Sequence, residues 1–255
     1  MEASQSVYAP PRARVLEPGY LKPVPGTTRS PLQLIKARTG IVPFTGRDKL
    51  TELTDWANAR PGEGREDLAV AVVTGVGGSG KTRLAAELCS NLEKNGWVAG
   101  FIQKTTGLSE AELAWLTRVE SHLLLVLDYA EESHKEELTR LLRRLRERAA
   151  PTRVVLTARS AGAWLNDLLE DDVLSGAMAQ GLLRVELPRQ AEASARMAWR
   201  AAKRFAHHLG TPEPADVGIP ENSRWTTLDF VLHGWLIASE VDAADLPSSR
   251  EGLYE

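Results

Sequence analysis

The eight residues Gly75-Val76-Gly77-Gly78-Ser79-Gly80-Lys81-Thr82 fit the pattern G-x-x-x-x-G-K-[ST]. Glycines in such a turn let successive backbone amides face one point with no Cβ in the way. Those amides, with the N-terminus of a following helix, bind the oxygens of a phosphate chain. The pattern carries this meaning when a strand precedes it and a helix follows. Both are predicted here. Leu68–Thr74 (LAVAVVT) is a short apolar run of the buried parallel-strand type, and residues 81–95 have helical periodicity closed by Gly96. The expected ligand is a nucleoside triphosphate, ATP or its product ADP, with Mg²⁺. Gly75, Val76, Gly77, Gly78, Ser79 and Gly80 cradle it, Lys81 reaches the β- and γ-phosphates, and the Thr82 hydroxyl ligates the metal. Arg83, the next residue, is counted with the nucleotide contacts.

Outward from this loop the chain alternates between strand and helix patterns. Strands are predicted at 97–103, Leu123–Leu127, 153–157 and 182–187. Helices are predicted from Ser109, which has capping-box spacing to Glu112, and at 132–149. Alternation of this kind implies an α/β fold, a P-loop NTPase with about five mostly parallel strands covered by helices. Beyond Pro188 only helical patterns remain, at 191–209 and about 226–240. Upstream, a short helix is predicted at 51–59 and a loop at 61–66. Pro10, Pro11, Pro18, Pro23, Pro25 and Pro31 exclude a helix or a central strand from the first 31 residues. The expected organisation is a proline-rich arm at 1–31, the NTPase domain at 32–188 and a small helical, lid-like domain at 189–255 that ends early.

Leu123-Leu-Leu-Val-Leu-Asp128 is an apolar strand closed by an acid. A carboxylate at the C-terminal end of a parallel strand is placed to hold the water shell of Mg²⁺, so Asp128 is the second metal-side candidate beside Thr82. Hydrolysis also needs a base, or a group that positions water. The residue after Asp128 is Tyr129, which leaves Glu131 as the nearest candidate, with Glu132 beside it. Val154-Val-Leu-Thr-Ala-Arg159 ends a strand on an arginine able to report a γ-phosphate. The arginines of 140–148 are read as the solvated face of an amphipathic helix, and His233 as packed core.

Bulk properties narrow the classes. The chain has 255 residues, 43% hydrophobic and 25% charged, with a formal charge of −3, so bulk charge does not point to nucleic acid. Eight cations against three acids in the first fifty residues are a modest excess without an aromatic platform, so nucleic acid is not expected as a partner. One cysteine, Cys89, excludes an intrachain disulfide. No apolar run approaches the ~18–20 residues of a membrane span, and no secretory leader follows Met1, so the expectation is a cytoplasmic protein without a membrane partner.

Taken together, these motifs resemble the STAND class of signal-transduction ATPases, which includes NB-ARC and NACHT modules. GVGGSGKT is similar to the GxGGxGKT form of that class. Val42-Pro-Phe-Thr-Gly-Arg47 resembles its hhGR segment. LLLVLDYAE and VVLTARSAG resemble the Walker B and sensor arginine motifs of an actinobacterial-type branch. The resemblance implies that Val42, Phe44 and Arg47 lie near adenine and ribose, and that Lys81, Asp128, Glu131 and Arg159 carry the catalytic roles. Two departures stand out: Tyr129 replaces a second acid, and the 225–238 stretch lacks the proline usually offered to the nucleotide.

The function expected from the resemblance is a slow ATPase acting as a switch in signal transduction, with bacterial defence or regulation as the setting. ADP holds it closed, and ATP opens it for assembly with copies of itself or with protein partners. The chain would then be the nucleotide-binding part of a longer protein, monomeric by itself. The alternative is a constitutive P-loop ATPase or a kinase acting on a small substrate. A nucleic-acid motor is a weaker third reading.

Overall fold

The computed structural model describes residues 15–21, 34–59, 67–102, 108–171, 175, 182–189, 194–215, 217–218 and 224–239. Most of the proline-rich arm, the 61–66 loop and the final ten residues lie outside that set.

Six strands form one sheet: β1 (Leu16–Glu17), β2 (Leu68–Thr74), β3 (Val98–Ile102), β4 (Leu123–Leu127), β5 (Thr152–Ala158) and β6 (Leu183–Glu186), in the order β1-β3-β4-β5-β2-β6. Strands β3, β4 and β5 are parallel, with Ala99 opposite Leu124 and Leu125 opposite Val154. Every residue of β4 and β5 is buried. This is why β4 (LLLVL) is a continuous apolar run instead of an alternating one, and why the polar residues of β5 (TRVVLTA) need partners inside the protein.

The sixth strand was not anticipated. β1 runs antiparallel along β3, pairing Leu16 with Ile102. Prolines exclude a central strand, and β1 is an edge of two residues closed by Pro18. Gly100 of β3 admits it, because a Cβ there would lie 2.6 Å from the Glu17 carbonyl oxygen.

The helices are α1 (Arg47–Asn58), α2 (Lys81–Glu93), α3 (Glu110–Arg118), α4 (Lys135–Arg146), α5 (Ala163–Leu169), α6 (Ser194–Leu209) and α7 (Thr227–Ala238). A 3-10 turn covers Ala37–Thr39 and another Ala130–Glu132. Ser109 caps α3 in a capping box with Glu112, as the spacing predicted. The helix expected over 132–149 is shorter, because the 3-10 turn precedes it and α4 begins only after His134. Its leucines 138, 141, 142 and 145 are all buried. Helix α5 has no counterpart in the sequence reading. Among the described residues no helix is long and apolar enough to cross a membrane.

The chain divides into two compact units. One comprises Met1–Gly19, Trp56–Val72 and Cys89–Leu183; the other comprises Tyr20–Asp55, Val73–Leu88 and Arg184–Glu255. The first is built around the inner residues of β2, β4 and β5, with Leu113, Leu116, Leu138, Leu142, Leu165 and Leu168 from its helices.

The second unit packs α6 on α7. Met197, Ala198 and Ala202 meet Trp225 and Phe230, with Val42 against them. Phe205 and Ala206 meet Leu34 and Ala238. His233 is core, as expected: it is 1% exposed, its ring lies 5.0 Å from that of Trp225, and Nε2 donates to the Gly218 carbonyl at 2.7 Å. The two helices touch at Gly234, where an added Cβ would come within 2.5 Å of the Ala198 oxygen and 2.6 Å of the Ala201 Cβ. Glycine to alanine inside a helix ordinarily stabilises by about 1 kcal/mol. Here the sign should reverse, with Gly234→Ala costing about 1–3 kcal/mol by overpacking. Urea unfolding followed by circular dichroism checks this, and a higher midpoint for the variant would refute it.

Candidate nucleotide-binding site

The loop Gly75–Thr82 belongs to the second unit. Gly75 is pressed on both sides: a Cβ would stand 2.7 Å from Ser79 Oγ and 3.0 Å from the Leu187 carbonyl oxygen. Beside Gly77 and Gly80 the space is open, with no heavy atom within 4 Å of an added Cβ. Lys81 is 8% exposed and folds back on its own loop, donating to the Gly75 oxygen at 2.6 Å and the Val76 oxygen at 3.1 Å. The Ser79 hydroxyl is 2% exposed and has no protein partner. An ammonium drawn back onto two loop carbonyls, an orphaned hydroxyl and open space beside two glycines fit an anion at this loop.

Helix α7 is fastened to the same loop. Leu228 N–H, in the first turn of α7, donates to the Gly78 carbonyl at 3.0 Å. Thr227 N–H donates to Arg189 O at 3.3 Å, and the Asp229 carboxylate accepts from Thr226 N–H at 2.6 Å and from Thr226 Oγ1 at 2.9 Å. The first donors of a helix have no partner within it, so here the loop and the capping box supply them. Gly78 has φ +79° and no room for a side chain, since a Cβ would lie 2.5 Å from Thr226 Oγ1. Sequence reading placed a helix start near Thr226, but nothing local in it could show that this start lands on Gly78.

The adenine-side candidates also lie in the second unit. Val42 is half-buried among α6 and α7 side chains. The Phe44 ring folds over Gly46, whose Cβ would lie 2.9 Å from Phe44 Cζ. Arg47 is exposed and opens α1. Arg83 is turned toward the upstream segment: Nη1 donates to Ala37 O at 3.1 Å, Nη2 pairs with Glu87 at 3.1 Å, and the guanidinium sits 4.9 Å from the Tyr20 ring centre.

The acidic candidates lie in the first unit, at the C-terminal ends of β4 and β5. The Asp128 carboxylate accepts a short hydrogen bond from Thr157 Oγ1. Glu131 Oε1 accepts from Arg159 N–H at 2.9 Å, and its Oε2 is buried without a hydrogen-bond partner. The structure therefore brings Asp128, Glu131 and Arg159 into one neighbourhood, with Thr157 as a fourth member that the sequence did not single out. Tyr129 makes this possible. It has φ 57° and ψ 48°, the only non-glycine with positive φ among the described residues. The left-handed kink, which costs about 1–2 kcal/mol, turns the chain so that Glu131 returns beside β5. Burial, then the Asp128 charge, pushes the Tyr129 phenol above its ordinary range, so it supplies no charge near neutral pH.

Residues 45–167 match the family model described as Novel STAND NTPase 5. This segment is a STAND NTPase. It contains the phosphate loop, Asp128, Glu131 and Arg159, while Val42 and Phe44 precede it. Among solved structures, NtrX from Brucella abortus is similar at 12% identity and TM-score 0.50, over 82% of this chain and 55% of that one. Domain III of the Thermotoga maritima replication initiation protein DnaA is similar at 14% and 0.45, over 85% and 84%. The Aeropyrum pernix ORC1 protein, solved in complex with DNA, is similar at 17% and 0.44, over 82% and 63%. At these identities the likeness is one of fold. The chain spans less than two thirds of the length of ORC1 and of C. elegans PCH-2. No curated protein matches it. The sheet that carries the candidate residues has a P-loop NTPase fold, and four of its six strands fall within the matched segment.

Proposed function

We propose that the chain is an ATP-dependent signal-transduction switch that hydrolyses slowly, closed with ADP and open for assembly with ATP. The observation that carries this reading is the Leu228–Gly78 hydrogen bond. The loop that would hold the phosphates is fastened to the helical segment, so phosphate occupancy and α7 position become linked quantities. Lys81 takes the β- and γ-phosphates, the loop amides the remaining oxygens, and Val42, Phe44 and Arg47 the base side. Arg83 acts through the segment it holds at Ala37. Glu131 accepts the proton of the attacking water, and Arg159 reports the γ-phosphate.

Thr82 and Asp128 carry the oxygens that would hold Mg²⁺, an ion bound through few protein oxygens plus phosphates and water. The metal would supply charge neutralisation on the phosphates. Among the described residues no cluster of three His, Cys, Asp or Glu side chains could hold a metal by itself.

Slowness follows from Tyr129, which puts a neutral phenol where a second carboxylate would serve, and from Glu131, one of whose oxygens is committed to Arg159 N–H. Mass spectrometry of the denatured, purified protein should find ADP retained, and turnover should fall below the ~1–100 s⁻¹ of kinases. Empty protein with steady turnover in that range would overturn the switch in favour of a constitutive enzyme.

A further inference from the structure

Helix α6 has sixteen residues and no acidic side chain, in a chain whose formal charge is −3. Its buried side is apolar: Met197, Ala198, Ala201, Ala202, Phe205 and Ala206 are each at most 4% exposed. The other side carries Arg196, Trp199, Arg200, Lys203, Arg204 and His207, which recur at helical spacings of three and four. Arg196, Trp199, Arg204 and His207 are exposed, and Arg200 and Lys203 are partly so. Trp199 is 40% exposed, and Lys203 Nζ lies 3.9 Å from its ring centre. The acid paired with Lys203 is Glu213, from the following loop.

The row from Arg196 to His207 extends about 16 Å along the helix, with cations about 6 Å apart at i, i+4 spacing. A line of regularly spaced positive charge suits a linear polyanion. The exposed indole adds a flat apolar face, which suits an unstacked base and has no counterpart in an acidic peptide. A lipid surface does not fit, because the apolar side that would enter it is spent on the α6–α7 core. We infer that this face of α6 is a docking surface for single-stranded nucleic acid, with guanidinium and ammonium groups on phosphates and Trp199 stacking on a base.

The inference does not depend on the nucleotide reading, and the test separates the two. Anisotropy of a fluorescein-labelled, mixed-sequence single-stranded 20-mer is measured with the full chain across 50–200 mM NaCl. With about four cations engaged, log K should fall against log salt with a slope near −3. Trp199→Ala should weaken binding about tenfold or more. Arg204→Glu should weaken it at least tenfold at 150 mM salt, and neither variant should change the melting temperature. Lys81→Ala should bind the oligonucleotide as wild type does. No salt-dependent binding, equal affinity for polyglutamate, tighter binding to acidic phospholipid vesicles, or indifference to both α6 variants would each overturn the proposal.

Discussion

Lys81→Ala should weaken ATP binding about ten- to a hundredfold while leaving the fold intact. In the structure the ammonium donates to two neutral carbonyls, Gly75 O and Val76 O. A phosphate gives it a charge-assisted partner worth about 1.5–3 kcal/mol, and each 1.4 kcal/mol is a factor of ten. Val76 is exposed and the Gly75 carbonyl borders the space the side chain leaves, so water can reach both in the variant and the melting temperature should barely move. Gly78→Ala should behave differently. Its positive φ strains any side chain, and the new Cβ would stand 2.5 Å from Thr226 Oγ1 and 3.0 Å from Leu228 Cβ. The loop and α7 cannot both keep their places, so nucleotide binding and the melting temperature should fall together. Isothermal calorimetry with ATP, paired with thermal melts, separates the two outcomes. Unchanged affinity in Lys81→Ala would sink the assignment of the loop. A Gly78→Ala protein that melts normally would show that the α7 attachment is dispensable.

What could be read in the sequence was local. The all-apolar β4, the Ser109–Glu112 capping box and the leucine stripe of α4 are each fixed by neighbours within a few residues, and each stands in the structure as expected. What escaped depends on partners far along the chain. β1 exists because Gly100 leaves room for the Glu17 backbone, 83 positions away in the sequence. Thr157 reads as one more strand residue until its hydroxyl is seen on Asp128, and Glu131 as a helix-start acid until Arg159 N–H is seen on it. Tyr129 hid the turn that gathers these groups, since an aromatic residue gives no local sign of a left-handed conformation. The meeting of α7 with Gly78 is of the same kind: capping chemistry predicts where a helix starts, not what it touches.

Arg153 shows the same limit with a large energetic consequence, and Arg153→Met should cost about 3 kcal/mol of stability. The sequence offers it as the first polar residue of a strand. The structure buries it to 3% exposure at the start of β5. There Nε donates to Ala57 O at 3.0 Å, Nη2 to Ala59 O at 2.8 Å, and Nη1 to Asp67 O at 2.9 Å and Thr152 O at 3.0 Å. Ala57 lies in the last turn of α1 and Ala59 follows it, where helix carbonyls have no partner of their own. One guanidinium thus closes a helix end and ties it to the segment entering β2. Burial pulls the Arg153 pKa below its ordinary value, yet the group stays charged, which favours many short hydrogen bonds over few. Methionine fills much of the volume but satisfies none of the carbonyls. Ala59 is exposed and can turn to water, whereas the others are less able to, so the loss should fall short of four full orphan penalties. Lysine restores the charge with three donors on a single nitrogen, which cannot reach carbonyls on opposite sides of a planar fork, so Arg153→Lys should recover less than half of the loss. Thermal unfolding should place Arg153→Met about 6–12 °C below the wild type for a chain of this size. If the methionine variant melts with the wild type, the helix end is held by something other than this side chain.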